Sequence, residues 1–209
     1  MKKNKKYIAA LIFTGALFCS MLVLAMGKQM TEKGDPLQPE IAGKILRFHI
    51  LANSDSKKDQ EIKLKVRDKI GEMMKDKLKN ASKLSDTEII VSDYLDEIED
   101  TAEQVLEENG FYYGADAKLA SVDFPVKTYG DYTFPKGEYK ALQVTLGAGE
   151  GHNWWCVLYP NMCFQGSVYE IVDEQADEEL QEVLTPAEYA DVFNSGKIKL
   201  RLKFLEYFQ

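Results

Sequence analysis

The chain reads as an α+β protein: a mainly antiparallel sheet with an amphipathic helix pair on one face, preceded by an N-terminal signal or anchor segment. Three observations predict this. A charge-free apolar run opens the chain behind a group of lysines, helical spacing of apolar residues fills 59–108, and several separate stretches alternate with period two. The resulting order, β-αα-βββ-αα-β, is an α+β pattern, unlike the alternation of a doubly wound nucleotide fold.

Lys2, Lys3, Lys5 and Lys6 precede the uncharged stretch from Tyr7 to Ala25, 19 residues. Basic residues followed by an apolar run mark a secretory signal or a signal anchor. The run is just long enough for a bilayer, which takes about 20 residues. The lysines stay in the cytoplasm under the positive-inside rule, so the chain after Met26 is exported. Residues 1–30 are therefore read as signal peptide or anchor. Residues 31–43, with Gly34, Pro36 and Pro39, are read as a linker, and 44–209 as one exported domain. Five of the 26 basic residues precede position 31 and none of the 34 acidic ones does, so the remainder carries a net charge near −13. That charge repels nucleic acid and leaves the N-terminal segment as the one membrane-seeking element.

KILRFHILANS (44–54) alternates, with Leu46, Phe48, Ile50 and Ala52 on one face and Ile45, Arg47, His49 and Leu51 on the other. Asn53 to Ser56 end this strand, and Ser56 with Asp59 offers an N-cap. The following helix carries Ile62, Val66, Ile70, Met73, Met74 and Leu78 along one side. Ser85 and Glu88 form a capping box for a second helix, striped by Ile90, Tyr94, Ile98, Ala102 and Val105 and closed by Asn109-Gly110. Strands are predicted over 120–130, with Pro125 marking an edge or bulge, over 138–147 after the turn 135–137, and over 154–160. Helices are expected over 173–184 and 185–193, the latter with Pro186 in its first turn, and a closing strand over 197–208.

GAGEGHNWWCVLYPNMC (147–163) concentrates the reactive residue types. Cys156 with His152 would suit a cysteine hydrolase, but four residues of strand set their α-carbons about 13 Å apart. His49 is the other imidazole. A thiol nucleophile also favours a helix N-terminus, whereas Cys156 leads into a strand. The glycines lack the Lys-Ser/Thr of a phosphate loop and lead into a strand. Two histidines and scattered carboxylates give no metal-ligand spacing. The reading is thus no catalytic set, no metal and no cofactor. In an exported domain Cys156 and Cys163, six residues apart, are most simply a disulfide. Adjacent Trp154 and Trp155 on a strand point to opposite faces, one into the core and one outward beside the loop, where Trp is a favoured contact residue.

Three stretches, RFHILANSDSKKDQEIKLKVRD (47–68), FPVKTYGDYTFPKGEYKALQVTLG (124–147) and the 147–163 segment, resemble the stage II sporulation protein R family of endospore-forming bacteria. Asn161 stands where a second Pro is expected, a local departure. The resemblance implies a secreted signalling protein with no reaction of its own. It would pass from the forespore into the space between forespore and mother cell and activate a membrane-bound aspartic protease there. That protease processes the precursor of the sporulation sigma factor E. On this reading the partner-binding residues are Trp154, Trp155, Glu150 and Asn153 of the loop, with Asn53 and Asp55 of the first polar turn. The alternative from another class is an exported cysteine-dependent hydrolase of cell-wall peptide with Cys156 as nucleophile. A third reading is a passive envelope-binding domain.

Overall fold

β1 (Leu46–Leu51) is buried on both sides, Arg47 and His49 included, so it belongs in the middle of a sheet rather than at its edge. The computed structural model describes residues 35–162 and 174–194. Ahead of β1, within the stretch read as linker, a short helix α1 (Gln38–Ala42) starts at a proline-containing first turn and buries Ile41 completely. After β1 come three helices, α2 (Lys57–Leu78), α3 (Leu84–Asp93) and α4 (Leu95–Glu108). Five strands follow: β2 (Ala115–Phe124), β3 (Lys127–Tyr129), β4 (Tyr132–Phe134), β5 (Gly137–Leu146) and β6 (Asn153–Tyr159). Helices α5 (Glu174–Val183) and α6 (Pro186–Asn194) complete the described elements. The predicted signal segment and the predicted closing strand 197–208 lie outside the described residues, as does Cys163.

The main sheet has the order β2-β5-β1-β6, and β3-β4 form a separate two-stranded ribbon. β2 and β6 pair antiparallel with their neighbours, but β1 and β5 run parallel, Arg47 opposite Ala141 and Leu51 opposite Thr145. The sheet is therefore mixed, which corrects the expected mainly antiparallel arrangement. The expectation joined successive strands by hairpins. Instead β2 takes the edge and β5 returns between β2 and β1, and both inner strands carry buried apolar residues on both faces.

Helices α2, α3 and α4 cover one face, where Phe48, Ile50, Leu142, Val144 and Cys156 meet Ile62, Val66, Ile70, Met74, Ile98 and Ala102. The opposite face is covered too: Ile45, Tyr139, Ala141 and Val157 pack with Ile41, Phe124, Phe134, Leu180 and Val192.

Local signals decide the element ends. Ser56 Oγ accepts the Asp59 amide at 3.1 Å, as the N-cap reading requires. The second box fails: its helix starts two residues earlier, at Leu84 behind Lys83 as N-cap, because Leu84 packs against the core. The helix predicted through residue 108 breaks at Tyr94. It does end as expected, with Gly110 at φ +82° and the Phe111 amide bonded to the Leu106 carbonyl. A box that sequence reading passed over opens α6, where Thr185 Oγ1 accepts from the Glu188 amide and Glu188 Oε2 from the Thr185 amide.

Candidate functional site

The C-terminal ends of parallel β1 and β5 lie side by side, and the two loops leaving them are joined residue by residue. Asn53 Oδ1 accepts the Ala148 amide at 2.9 Å, the Asn53 carbonyl accepts Glu150 N–H, and the Ala52 carbonyl accepts Gly151 N–H. Gly147 and Gly149 take positive φ, at +55° and +65°, and a Cβ at Gly147 would overlap the Asn53 side chain. The glycines of 147–151 thus allow close backbone approach. The His152 amide donates to Asp55 Oδ1 at 2.6 Å, and the imidazole Nδ1 contacts the same oxygen.

Asp59, at the start of α2, is the hub beneath this junction. Its carboxylate accepts from Asn53 Nδ2 at 3.1 Å, Ser54 Oγ and Tyr113 Oη at 3.0 Å. Burial alone would raise its pKa, but these hydrogen bonds overbalance it and hold the carboxyl below its usual range. Lys63, 5% exposed, donates to the His152 carbonyl at 2.8 Å and to Gln60 Oε1 at 2.6 Å. Burial, then repulsion from Arg67, lowers its pKa.

The two predicted contact regions are therefore one surface. Asp55, Glu150, His152 and Asn153 are exposed on it, whereas Asn53 is half-buried and commits its amide to the fold. Trp154 and Trp155 do take opposite faces of the sheet. Both are half-buried, in place of one core and one surface ring. Trp154 meets Phe48 edge-on and lies under the Arg67 guanidinium. Trp155 stacks on His49, centroids 3.8 Å apart and planes 6° off parallel. Asp59, Lys63 and Tyr113 were missed as site residues. Asp59 carried only a capping signal, and no local pattern links Tyr113 to it.

As chemistry, the set is unlike a hydrolase centre. Cys156 is 3% exposed and packs on the helix-covered face. His49 lies on the other face, and His152 is turned toward Asp55 at the surface. No imidazole meets this sulfur, although His152 and Asp55 do form an imidazole–carboxylate pair. Burial pushes the His49 pKa down to about 4, against a weaker effect of nearby Asn153. Among the described residues no cluster of His, Cys, Asp and Glu is placed to hold a metal ion, and no helix is long and apolar enough to cross a membrane.

The fold and the site define an α+β domain whose most structured feature is a paired-loop surface of polar and aromatic side chains. The family model described as stage II sporulation protein R matches residues 42–169. Stage II sporulation protein R of Bacillus subtilis (strain 168) is 33% identical over 189 residues, covering 90% of this chain and 84% of that protein. The chain belongs to the stage II sporulation protein R family. No solved structure matches it. The three stretches that carry the resemblance fall on β1 with α2, on the β3–β4 ribbon with β5, and on the glycine loop with β6. Their strands β5, β1 and β6 are neighbours in the main sheet.

Proposed function

We propose that this protein is an exported signalling protein that works by contact. It activates a membrane-bound aspartic protease in the space between forespore and mother cell, and so leads to processing of the sigma-E precursor. Family membership supplies the sporulation context. The observation that carries the contact reading is the paired-loop surface, in which hydrogen bonds hold Asp55 and the Glu150 backbone, and pairing with Leu51 holds Asn153, beside two tryptophans. A surface fixed before binding loses little conformational entropy on association. Activation by such contact needs a higher affinity for the active than for the resting protease.

The second reading, an exported cysteine hydrolase, draws on the His152–Asp55 pair, which resembles the oriented base of a triad. The burial of Cys156 away from that pair counts against it. We further propose that Cys156 is joined to Cys163. In support, Cys163 is the nearer in sequence of the two other cysteines, with six residues between it and Cys156.

The test is reconstitution in a non-sporulating host that makes the membrane protease and the sigma-E precursor, with and without this protein exported. Processing that appears only in its presence supports the activator role. An intact precursor with all three proteins correctly located overturns it.

A further inference from the structure

Arg47 is fully buried under four aromatic rings, its Cζ 4.4 Å from the Phe124 centroid, 5.1 Å from Tyr139, 5.2 Å from Phe134 and 5.7 Å from Tyr129. Among the described residues its guanidinium makes one hydrogen bond, from Nη2 to Tyr129 Oη at 3.1 Å, and Nε and Nη1 have none. A guanidinium keeps its charge at any physiological pH, and among the described residues the rings and the Tyr129 hydroxyl hold it without a carboxylate as counter-ion.

A second cation lies next to it. Lys127 on β3 is half-buried, with Nζ 5.8 Å from the Trp155 ring centroid, and it forms no ion pair among the described residues. Desolvation and the Arg47 charge both lower the Lys127 pKa, so the two cations feel each other. In a chain of net charge −8, a site with two cations and no ion-paired carboxylate is lopsided. Its walls are also prepared. Trp155 is wedged between the His49 stack and the Phe124 edge, 4.5 Å away, and Val126 beside Lys127 is 56% exposed.

We propose that the Trp155–Lys127 surface, with Arg47 beneath it, docks an acidic polypeptide segment of a partner protein. A carboxylate of that segment sits against Lys127 in the field of Arg47, and a neighbouring apolar side chain covers Trp155 and Val126. Aromatic rings supply area at low entropic cost, and the cationic charge supplies selectivity for an anion. A peptide fits better than an anionic lipid surface, which is gripped by clusters of basic residues, whereas this rim offers one lysine. The proposal deepens the contact-signalling reading by giving the chemistry of the partner, yet its test does not depend on that reading.

The chain has two tryptophans, so Trp154→Phe leaves Trp155 as the sole indole emitter. The full chain in neutral detergent is titrated with acetyl-Glu-Leu-Glu-Leu-amide and with its Gln-Leu-Gln-Leu counterpart. The expected result is a saturable change in Trp155 emission with the acidic peptide only, weakened by salt. Lys127→Gln should weaken it at least about fivefold. Lys140→Gln, which removes a lysine already paired with Glu88, should leave it unchanged. Equal response to both peptides, no saturation, or indifference to Lys127→Gln overturns the proposal. So does a stronger response to phosphatidylglycerol vesicles than to the acidic peptide. Lys127 is a rim residue, so loss of folding does not cloud the result as it could for Arg47. Failure here with precursor processing intact would reject this docking surface alone, whereas peptide binding without processing would reject the signalling reading alone.

Discussion

Gly151 rests directly on the backbone of Ser54: a Cβ at position 151 would lie 2.2 Å from the Ser54 carbonyl oxygen and 2.4 Å from its carbon. Neither atom can swing aside as a side chain could. Gly151→Ala must therefore part the two loops and strain the Gly151–Ala52 and Glu150–Asn53 hydrogen bonds. The expected cost is about 1–3 kcal/mol, read as a lower urea midpoint, with signalling lost before global folding. Gly110→Ala is the control. Its φ is +82° but nothing lies within 4 Å, so it should lose only about 1–2 kcal/mol of backbone strain and leave signalling intact.

Asp59→Asn tests the hub. The amide keeps one acceptor oxygen, so at least one of the donors from Asn53, Ser54 and Tyr113 is left unmet in a site 6% exposed. The expected loss is about 2 kcal/mol at neutral pH. Burial works against the charge and the hydrogen bonds outweigh it, so the folded pKa is below the unfolded one. The resulting stability is complete above the unfolded pKa and vanishes as pH falls through the folded pKa. Urea midpoints measured from neutral pH down into that acid range should fall less steeply in the variant than in the parent.

Much of this was legible because local chemistry decided it. The β1 alternation, the Ser56 cap, the Asn109-Gly110 stop and the opposite facing of Trp154 and Trp155 all follow from residues close in sequence. What depended on distant partners was misread or missed. The alternation placed Arg47 and His49 on the second face of β1 without saying what covers it, and the β3–β4 ribbon and Phe124 bury both. The parallel register of β1 with β5 had no turn to announce it. Ser85 offered a sound box, but Leu84 found more burial inside the helix. The glycine loop and the Asn53 turn were each singled out, and nothing local says that they touch.

His49 predicts a second, milder acid effect. Burial is the main cause of its shift from 6.5 to about 4, and Asn153 opposes it weakly. Between those values the unfolded chain binds a proton that the folded chain refuses, so stability falls as pH drops through that window. The loss is on the order of 2–3 kcal/mol once pH reaches the lower value, and this group adds nothing further below it. His49→Gln should shrink the difference between urea midpoints at about pH 7 and about pH 5. An unchanged difference would assign the acid sensitivity to other groups.

Cysteine variants separate the two functional readings. If Cys156 and Cys163 are joined, removing either opens the same short loop, and each change should cost about 2–3 kcal/mol. Reductant should lower the parent to the level of Cys163→Ser and leave that variant unmoved. Because Cys156 is buried, Cys156→Ala is compared with Cys156→Ser, since a buried hydroxyl adds a penalty of its own of about 1–3 kcal/mol. Precursor processing in the reconstituted host should then fall to a similar extent for changes at either position, in step with stability. A nucleophilic Cys156 predicts the opposite split: Cys156→Ala abolishes function at unchanged stability, while Cys163→Ser leaves it largely intact. Processing assays and urea midpoints on the same four proteins decide between these patterns.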